Sequence, residues 1–233
     1  MAEFEIKVMH GIQGASHAVG LAVAIDVLRA TSWQYYAIAA GAERIIAVAS
    51  LEEAYALKSA YPHFVLAGER GLRKQQGFDY GNSPFEIQGV NFVGKTIIHT
   101  TSHGTQGLAK MEGASQVICA SFVNAQAAAV YIRSSDLKQV SLVCMGNDGG
   151  KPAEEDTALA EYLAALLTGR TPLFAPIYES LRNSVNGTRF LNGAYDFAPP
   201  QDFELCLSLN RFDFVVGGNP QDEGRIVLTR VVK

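Results

Sequence analysis

The residues able to do chemistry cluster in a few turns. In "AVAIDVLRATS", Asp26 closes an apolar run and is followed by Arg29 and Thr31. A carboxylate there could hold a hard cation and a guanidinium an anion. Asp26 could equally cap a helix. An aspartate in so apolar a run costs free energy unless it is paired, liganded or placed at the strand end. In "VLAGERG", Glu69 and Arg70 stand between glycines. The backbone there could approach a ligand closely while both charges point into one cleft. A solvated surface turn is the alternative.

Two further turns add polar groups. "GFDYGNSPFE" combines Asp79, Asn82, Ser83 and Glu86. Turn chemistry alone accounts for Asn82-Ser83-Pro84, yet Asp79 and Glu86 flank it, and converging carboxylates suit magnesium, which takes few protein ligands and several waters. "TTSHGT" crowds Thr101, Ser102, His103, Gly104 and Thr105 into one strand-to-helix turn whose hydroxyls and amides could receive phosphate oxygens. His103 could act as a general acid or satisfy a backbone carbonyl. "CMGNDGGKPAEED" brings Asn147 and Asp148, then Glu154, Glu155 and Asp156 at a helix start, where acids also serve the helix dipole.

Other chemistries are excluded or weakened. "GVNFVGKT" (89–96) fits the phosphate-loop formula letter for letter. However, "NSPFEIQ" is a poor buried strand before it, and the β-branched "IIHTT" after it reads as a strand rather than a helix. Lys95 therefore falls at the entrance of a strand, opposite the end where α/β sheets bind ligands. No G-x-G-x-x-G follows a strand, and no G-x-S-x-G elbow occurs. None of Cys119, Cys144 and Cys206 has an arginine six positions on, which closes the cysteine-phosphatase route. His99 and His103, four apart across a strand and turn, would not aim at one zinc.

The elements that must position these turns follow from pattern. Apolar, β-branched runs alternate with alanine- and leucine-rich helical ones, as in a three-layer α/β sheet with helices on both faces. Strands are expected at 20–26, 44–49, 64–68, 95–100, 116–121, 140–145, 212–217 and 225–232. Helices are expected at 51–60, 105–111, 124–134, 154–168 and 172–183, the fourth marked by acids in its first turn and Gly169 past its end. "GAERIIAVA" from 41 resembles "GASQVICAS" from 113, "VLAGERG" from 65 resembles "VCMGNDG" from 143, and "IDVLRAT" aligns with "HTTSHGT". These echoes suggest an internal duplication, with halves of about 1–110 and 111–233 in a single domain spanning 1–233.

With 233 residues, 48% hydrophobic and 18% charged, the chain has ample core material. A net charge of -4 and the lack of a basic run point away from nucleic acid and membrane surfaces. An acidic start without an apolar leader, and three cysteines without C-x-x-C spacing, suggest a cytoplasmic protein with buried thiols. The sequon at Asn186 is accordingly given no role. Apolar helices and a hydrophobic C-terminal strand would suit a homodimer.

Together "IDVLRAT", "GERG", "GFDYGNSPFE", the "GK" before a strand, the hydroxyl-rich turn at 101–105, Asn124 with its alanines and the acidic pair at 155–156 resemble the 2-phosphosulfolactate phosphatase (ComB) family. They follow one another over about half the chain. The resemblance implies a magnesium-dependent acid phosphatase acting on (R)-2-phospho-3-sulfolactate, a small anionic phosphorylated substrate on the route to coenzyme M. It implies that some of Asp26, Glu69, Asp79, Glu86, Glu155 and Asp156 hold the metal, with Arg29 and Arg70 neutralising phosphoryl oxygens. The turn at 101–105, Thr31 and the Asn82-Ser83 segment would complete an anion cradle, and Asn124 would orient a carboxylate or sulfonate. Asp26 as a covalent nucleophile is the rival mechanism.

Two departures stand out. His103 occupies the family's asparagine position in Thr-Thr-Asn-Gly-Thr. Trp33, Tyr35 and Tyr36 replace smaller residues and would reshape the cleft if they line it. A catalytically silent or altered-specificity anion-binding protein of the same fold is therefore the alternative.

Overall fold

The computed structural model describes residues 4–146, 151–220 and 225–231. Among them, nine strands form one sheet: β1 (Glu5–His10), β2 (Gly20–Ile25), β3 (Arg44–Ala47), β4 (Val65–Gly68), β5 (Thr96–Thr100), β6 (Ala114–Ala120), β7 (Gln139–Cys144), β8 (Val215–Gly218) and β9 (Ile226–Val231). Their spatial order is β1-β7-β2-β6-β8-β9-β3-β5-β4. β1, β7, β2 and β6 run parallel to one another, as do β3, β5 and β4. The antiparallel strands β8 and β9 join these two wings.

The helices are α1 (Gly11–Ala15), α2 (Ala30–Ala39), α3 (Leu51–Ala60), α4 (Gly104–Leu108), α5 (Ala125–Ser134), α6 (Glu154–Leu167), α7 (Phe174–Arg182), α8 (Val185–Leu191) and α9 (Pro200–Cys206). They cover both faces of the sheet. Alternate strand residues divide between the cores, as the period of two requires. Ala22, Ala24, Cys119 and Val143 face a core built around Trp33, Tyr35 and Leu108. Leu21, Val23, Ile25, Ile118 and Leu142 face α5 and α6 through Ala125, Ala129, Leu159 and Leu163. Ile45, Ala47 and Ile97 of the second wing enter the first core, so both wings close on α2. Behind that wing, Leu66 and Ile98 pack on Ala54 of α3.

The fold agrees with the expected α/β class and adds elements that pattern did not mark. β1 pairs only with β7 at the sheet edge and exposes most of its side chains, so it lacks a buried-strand signature. In α2 nearly every residue is buried, leaving no polar stripe. Trp33, Tyr35 and Tyr36 lie on this helix and pack into the core, so the condition under which they would reshape the site, that they line its cleft, is not met.

Strands of the two expected halves are not fully separated in the sheet. β2 lies between β6 and β7, and β5 lies between β3 and β4. All three cysteines are buried and unbonded. No helix among the described residues is long and apolar enough to cross a membrane.

Candidate active site

Four strands, two from each wing and parallel within it, end at one cavity of about 400 Å³. Asp26 follows β2, Glu69 follows β4, Ser102 and His103 follow β5, and Gly146 follows β7; all line it. Such convergence at carboxyl ends is where open α/β sheets place ligands. Glu154 and Glu155 at the start of α6, with Asn186 and Arg189 of α8, close the opposite side.

Asp26 lines the cavity. Its Oδ1 accepts from the amide of Ala30, the first residue of α2, at 3.0 Å, although the N-cap position itself is held by Arg29 and not by Asp26. The start of α4 approaches so closely that a Cβ on Gly104 would lie 2.6 Å from Asp26 Oδ2. Burial is the main cause that pushes the Asp26 carboxyl up to about 6; Glu69 raises it further, while the Ala30 amide, His103 and Arg29 oppose the rise. Glu155 is pushed up to about 7, again chiefly by burial and with the Asp26 charge contributing. Asn186 Nδ2 donates to both Glu155 oxygens at 2.9 and 3.1 Å.

Two other carboxylates are committed to backbone. Glu69 accepts from the amides of Ser102 and Leu72, each at 2.7 Å, and from Ser102 Oγ at 3.0 Å, which joins the turns after β4 and β5. Asp156 accepts from Val27 at 2.9 Å and Gly146 at 3.0 Å, joining those after β2 and β7. Burial and the neighbouring Glu155 and Asp26 hold the Asp156 carboxyl well above the ordinary range. It does not line the cavity and braces it from behind.

Arg29 is buried beside the cavity. Its Nη1 donates to Asp202 Oδ2 at 2.6 Å and to the carbonyl of Phe197 at 2.7 Å. Asp202 Oδ1 accepts from Ser83 Oγ at 2.7 Å and from the amide of Phe85 at 2.9 Å. Asn82, at the cavity wall, accepts from His99 Nε2 at 3.1 Å through Oδ1.

The structure therefore brings Asp26, Arg29, Glu69, Asn82, Ser102, His103 and Glu155 to one cavity. It does not bring the other expected residues there. Asp79 pairs with Lys58 at 2.9 Å and receives the Leu66 amide at 2.8 Å, closing a turn. Glu86 holds the Gly81 amide at 2.7 Å and Lys74 at 3.3 Å, beside a neighbouring cavity. Arg70 turns to Thr100 Oγ1 and the Ala49 carbonyl. Thr31 bonds the carbonyls of Asp26 and Ala120. The amides of Thr101 and Thr105 each donate to the other's hydroxyl. Asn124 is buried in a capping box with Ser121 and donates to Tyr35 Oη at 2.6 Å. These residues shape the turns. Asn147 and Asp148 lie outside the described residues.

Asp202, Asn186 and Arg189 were not marked by sequence reasoning. Only Asn186 had a signal: it sits two residues past the α8 cap Ser184, whose side chain accepts from Gly187. Asp202 and Arg189 reach the site through contacts distant in sequence.

A family model described as 2-phosphosulpholactate phosphatase matches residues 7–219. Among curated proteins, one from Carboxydothermus hydrogenoformans is 39% identical over 88% of this chain and 89% of its own length. One from Caldanaerobacter subterraneus subsp. tengcongensis is 34% identical over 83% and 85%. One from Bacillus subtilis is 30% identical over 88% and 90%. Each bears the name "Probable 2-phosphosulfolactate phosphatase".

Proposed function

The chain belongs to the 2-phosphosulfolactate phosphatase family, and we propose that it hydrolyses the phosphate ester of 2-phosphosulfolactate in a magnesium-dependent reaction. The observation that carries this reading is the convergence of Asp26, Glu69 and Glu155 with His103 on one cavity at strand carboxyl ends. The same reading makes it a cytoplasmic enzyme on the route to coenzyme M.

The donor set fits magnesium. Asp26 and Glu155 are cavity-lining carboxylates whose charged forms burial disfavours, and Arg29 is already matched by Asp202. A divalent cation would supply the missing positive charge. Among the described residues no three of His, Cys, Asp or Glu could hold a metal unaided. Magnesium needs only one or two carboxylates, with waters and phosphate oxygens completing its shell. Asp26 and Glu155 are the residues that would hold it. When bound, the ion would neutralise phosphoryl charge and orient water for in-line attack.

The chain's own residues supply the remainder. Glu69 fixes Ser102 at the wall, which orients the phosphoryl oxygens. His103, which lines the cavity, would act as the general acid toward the leaving oxygen. A bond forms from water to phosphorus, the bond from phosphorus to the C2 oxygen breaks, and that oxygen takes a proton from His103; the proton the water gives up passes through solvent and restores His103, yielding sulfolactate and phosphate.

The test is phosphate release from 2-phosphosulfolactate with magnesium and with excess chelator. Release that chelator abolishes supports the reading. No release under either condition would favour the catalytically silent alternative, and release indifferent to chelator would remove the metal from the mechanism.

A further inference from the structure

We infer that Arg189 is the residue that recognises the substrate's sulfonate and so sets specificity; this rests on the reading above. A 2-phosphosulfolactate ester carries three acidic groups, and the described part of the cavity holds few cations to meet them. Arg29 is neutralised by Asp202, its Nη1 bound at 2.6 Å. Arg70 points away to Thr100 and Ala49. Lys151 is exposed, so water screens its charge. Arg189 differs from all three. It is half-buried, lines the cavity, and forms no ion pair with Asp26, Glu154 or Glu155. Among the described residues its guanidinium has no hydrogen-bond partner.

Its position is set by a rigid helix. Ser184 caps α8 by accepting from the Gly187 amide at 3.0 Å and donating to the Leu181 carbonyl at 2.7 Å. Phe190, the next residue, lies under the Arg29 guanidinium at 5.5 Å. Asn186, three residues before Arg189 on the same helical face, grips Glu155. Arg189 therefore stands roughly one helical turn, about 5 Å along α8, from Asn186, and lines the same cavity as Asp26 and Glu155. In the substrate the sulfonate sits on the carbon next to the one bearing the ester oxygen, so the cation that meets it must share the cavity of the phosphoryl end, as Arg189 does. A planar guanidinium meets two sulfonate oxygens at once, a geometry that an ammonium lacks.

The experiment compares wild type, Arg189→Gln and Arg189→Lys on 2-phosphosulfolactate and on 2-phospholactate, which lacks only the sulfonate. The expected result is a KM for the sulfonated ester raised about 10- to 100-fold in Arg189→Gln, corresponding to loss of one charge-assisted contact. Arg189→Lys should fall between, kcat should stay within about threefold, and KM for 2-phospholactate should be unchanged. Equal losses on both esters, or no loss on either, overturn the inference. Calorimetric titration with sulfolactate needs no turnover and separates the two claims. Binding by wild type that Arg189→Gln loses supports Arg189 even if no phosphate is released; equal binding, or none by wild type, overturns it.

Discussion

Arg29 and Asp202 form a buried ion pair at 2.6 Å that joins the start of α2 to α9, 173 positions apart in the chain. Asp202 also receives Ser83 and Phe85, so one carboxylate organises three separate segments around the cavity. Breaking such a pair leaves a buried charge uncompensated. Asp202→Ala should therefore cost about 3–5 kcal/mol in urea unfolding. The double variant Arg29→Met/Asp202→Leu should recover much of that loss. A double variant no better than the single would mean that the pair's charges matter less than its shape.

Stability in the absence of metal should fall as pH rises. The folded Asp26 and Glu155 carboxyls are raised from 3.8 and 4.5 to about 6 and about 7. Between these limits the folded chain binds more protons than the unfolded one, so their contribution is fully present below about pH 4 and is lost through pH 6 to 7. With chelator, the Tm should be lower at pH 8 than at pH 6.5, a window in which His99 contributes little change. Added magnesium should raise it more at pH 8; an equal rise at both would show that these carboxylates do not hold the ion.

His99 behaves in the opposite sense. It is buried, stacked on Trp33 at 4.7 Å, and burial lowers its pKa from 6.5 to about 3. The neutral ring's stability is complete above pH 6.5 and is lost as pH falls towards 3. By pH 4 the loss is on the order of 3 kcal/mol. His99→Asn should be less stable than wild type at pH 7, and that gap should narrow at pH 4. A constant gap in urea midpoints would show that this imidazole does not govern the acid response.

Gly104 carries the close approach of α4 to Asp26. A Cβ there would lie 2.6 Å from Asp26 Oδ2 and 2.9 Å from Ala30 Cβ, so Gly104→Ala must displace the carboxylate. A kcat lowered by about tenfold or more in a folded protein is expected, since small displacements at a reacting centre are costly. Unchanged kcat would remove Asp26 geometry from the rate.

Sequence pattern located elements in proportion to how strongly burial patterns them. α6 was legible because acids occupy its first turn and it presents an apolar stripe to the sheet. The turn at "GVNFVGKT" is as legible: residues 89–95 lie outside any helix or strand, with Lys95 immediately before β5 and Val93 exposed. α2 was not legible because burial on all sides erases its period. At the site, residues directly following strands, such as Asp26 and Glu69, stood out by position. Thr101, Thr105 and Asn124 stood out equally, yet their side chains are spent within their own turns or in the core. Spacing cannot distinguish a hydroxyl that closes a turn from one that faces a cavity. Asp202 and Arg189 depend on chain-distant packing, which leaves no local trace.

The most direct measurement is the rate of phosphate release from 2-phosphosulfolactate with magnesium for wild type, Asp26→Asn and Asp156→Asn. If the cavity is the catalytic centre, Asp26→Asn should lose about 10³-fold or more, as removal of a key electrostatic group does. Asp156→Asn, changed behind the wall, should stay within about tenfold while keeping an acceptor for a buried amide. An Asp26→Asn enzyme retaining wild-type turnover would contradict the placement of the chemistry at this cavity.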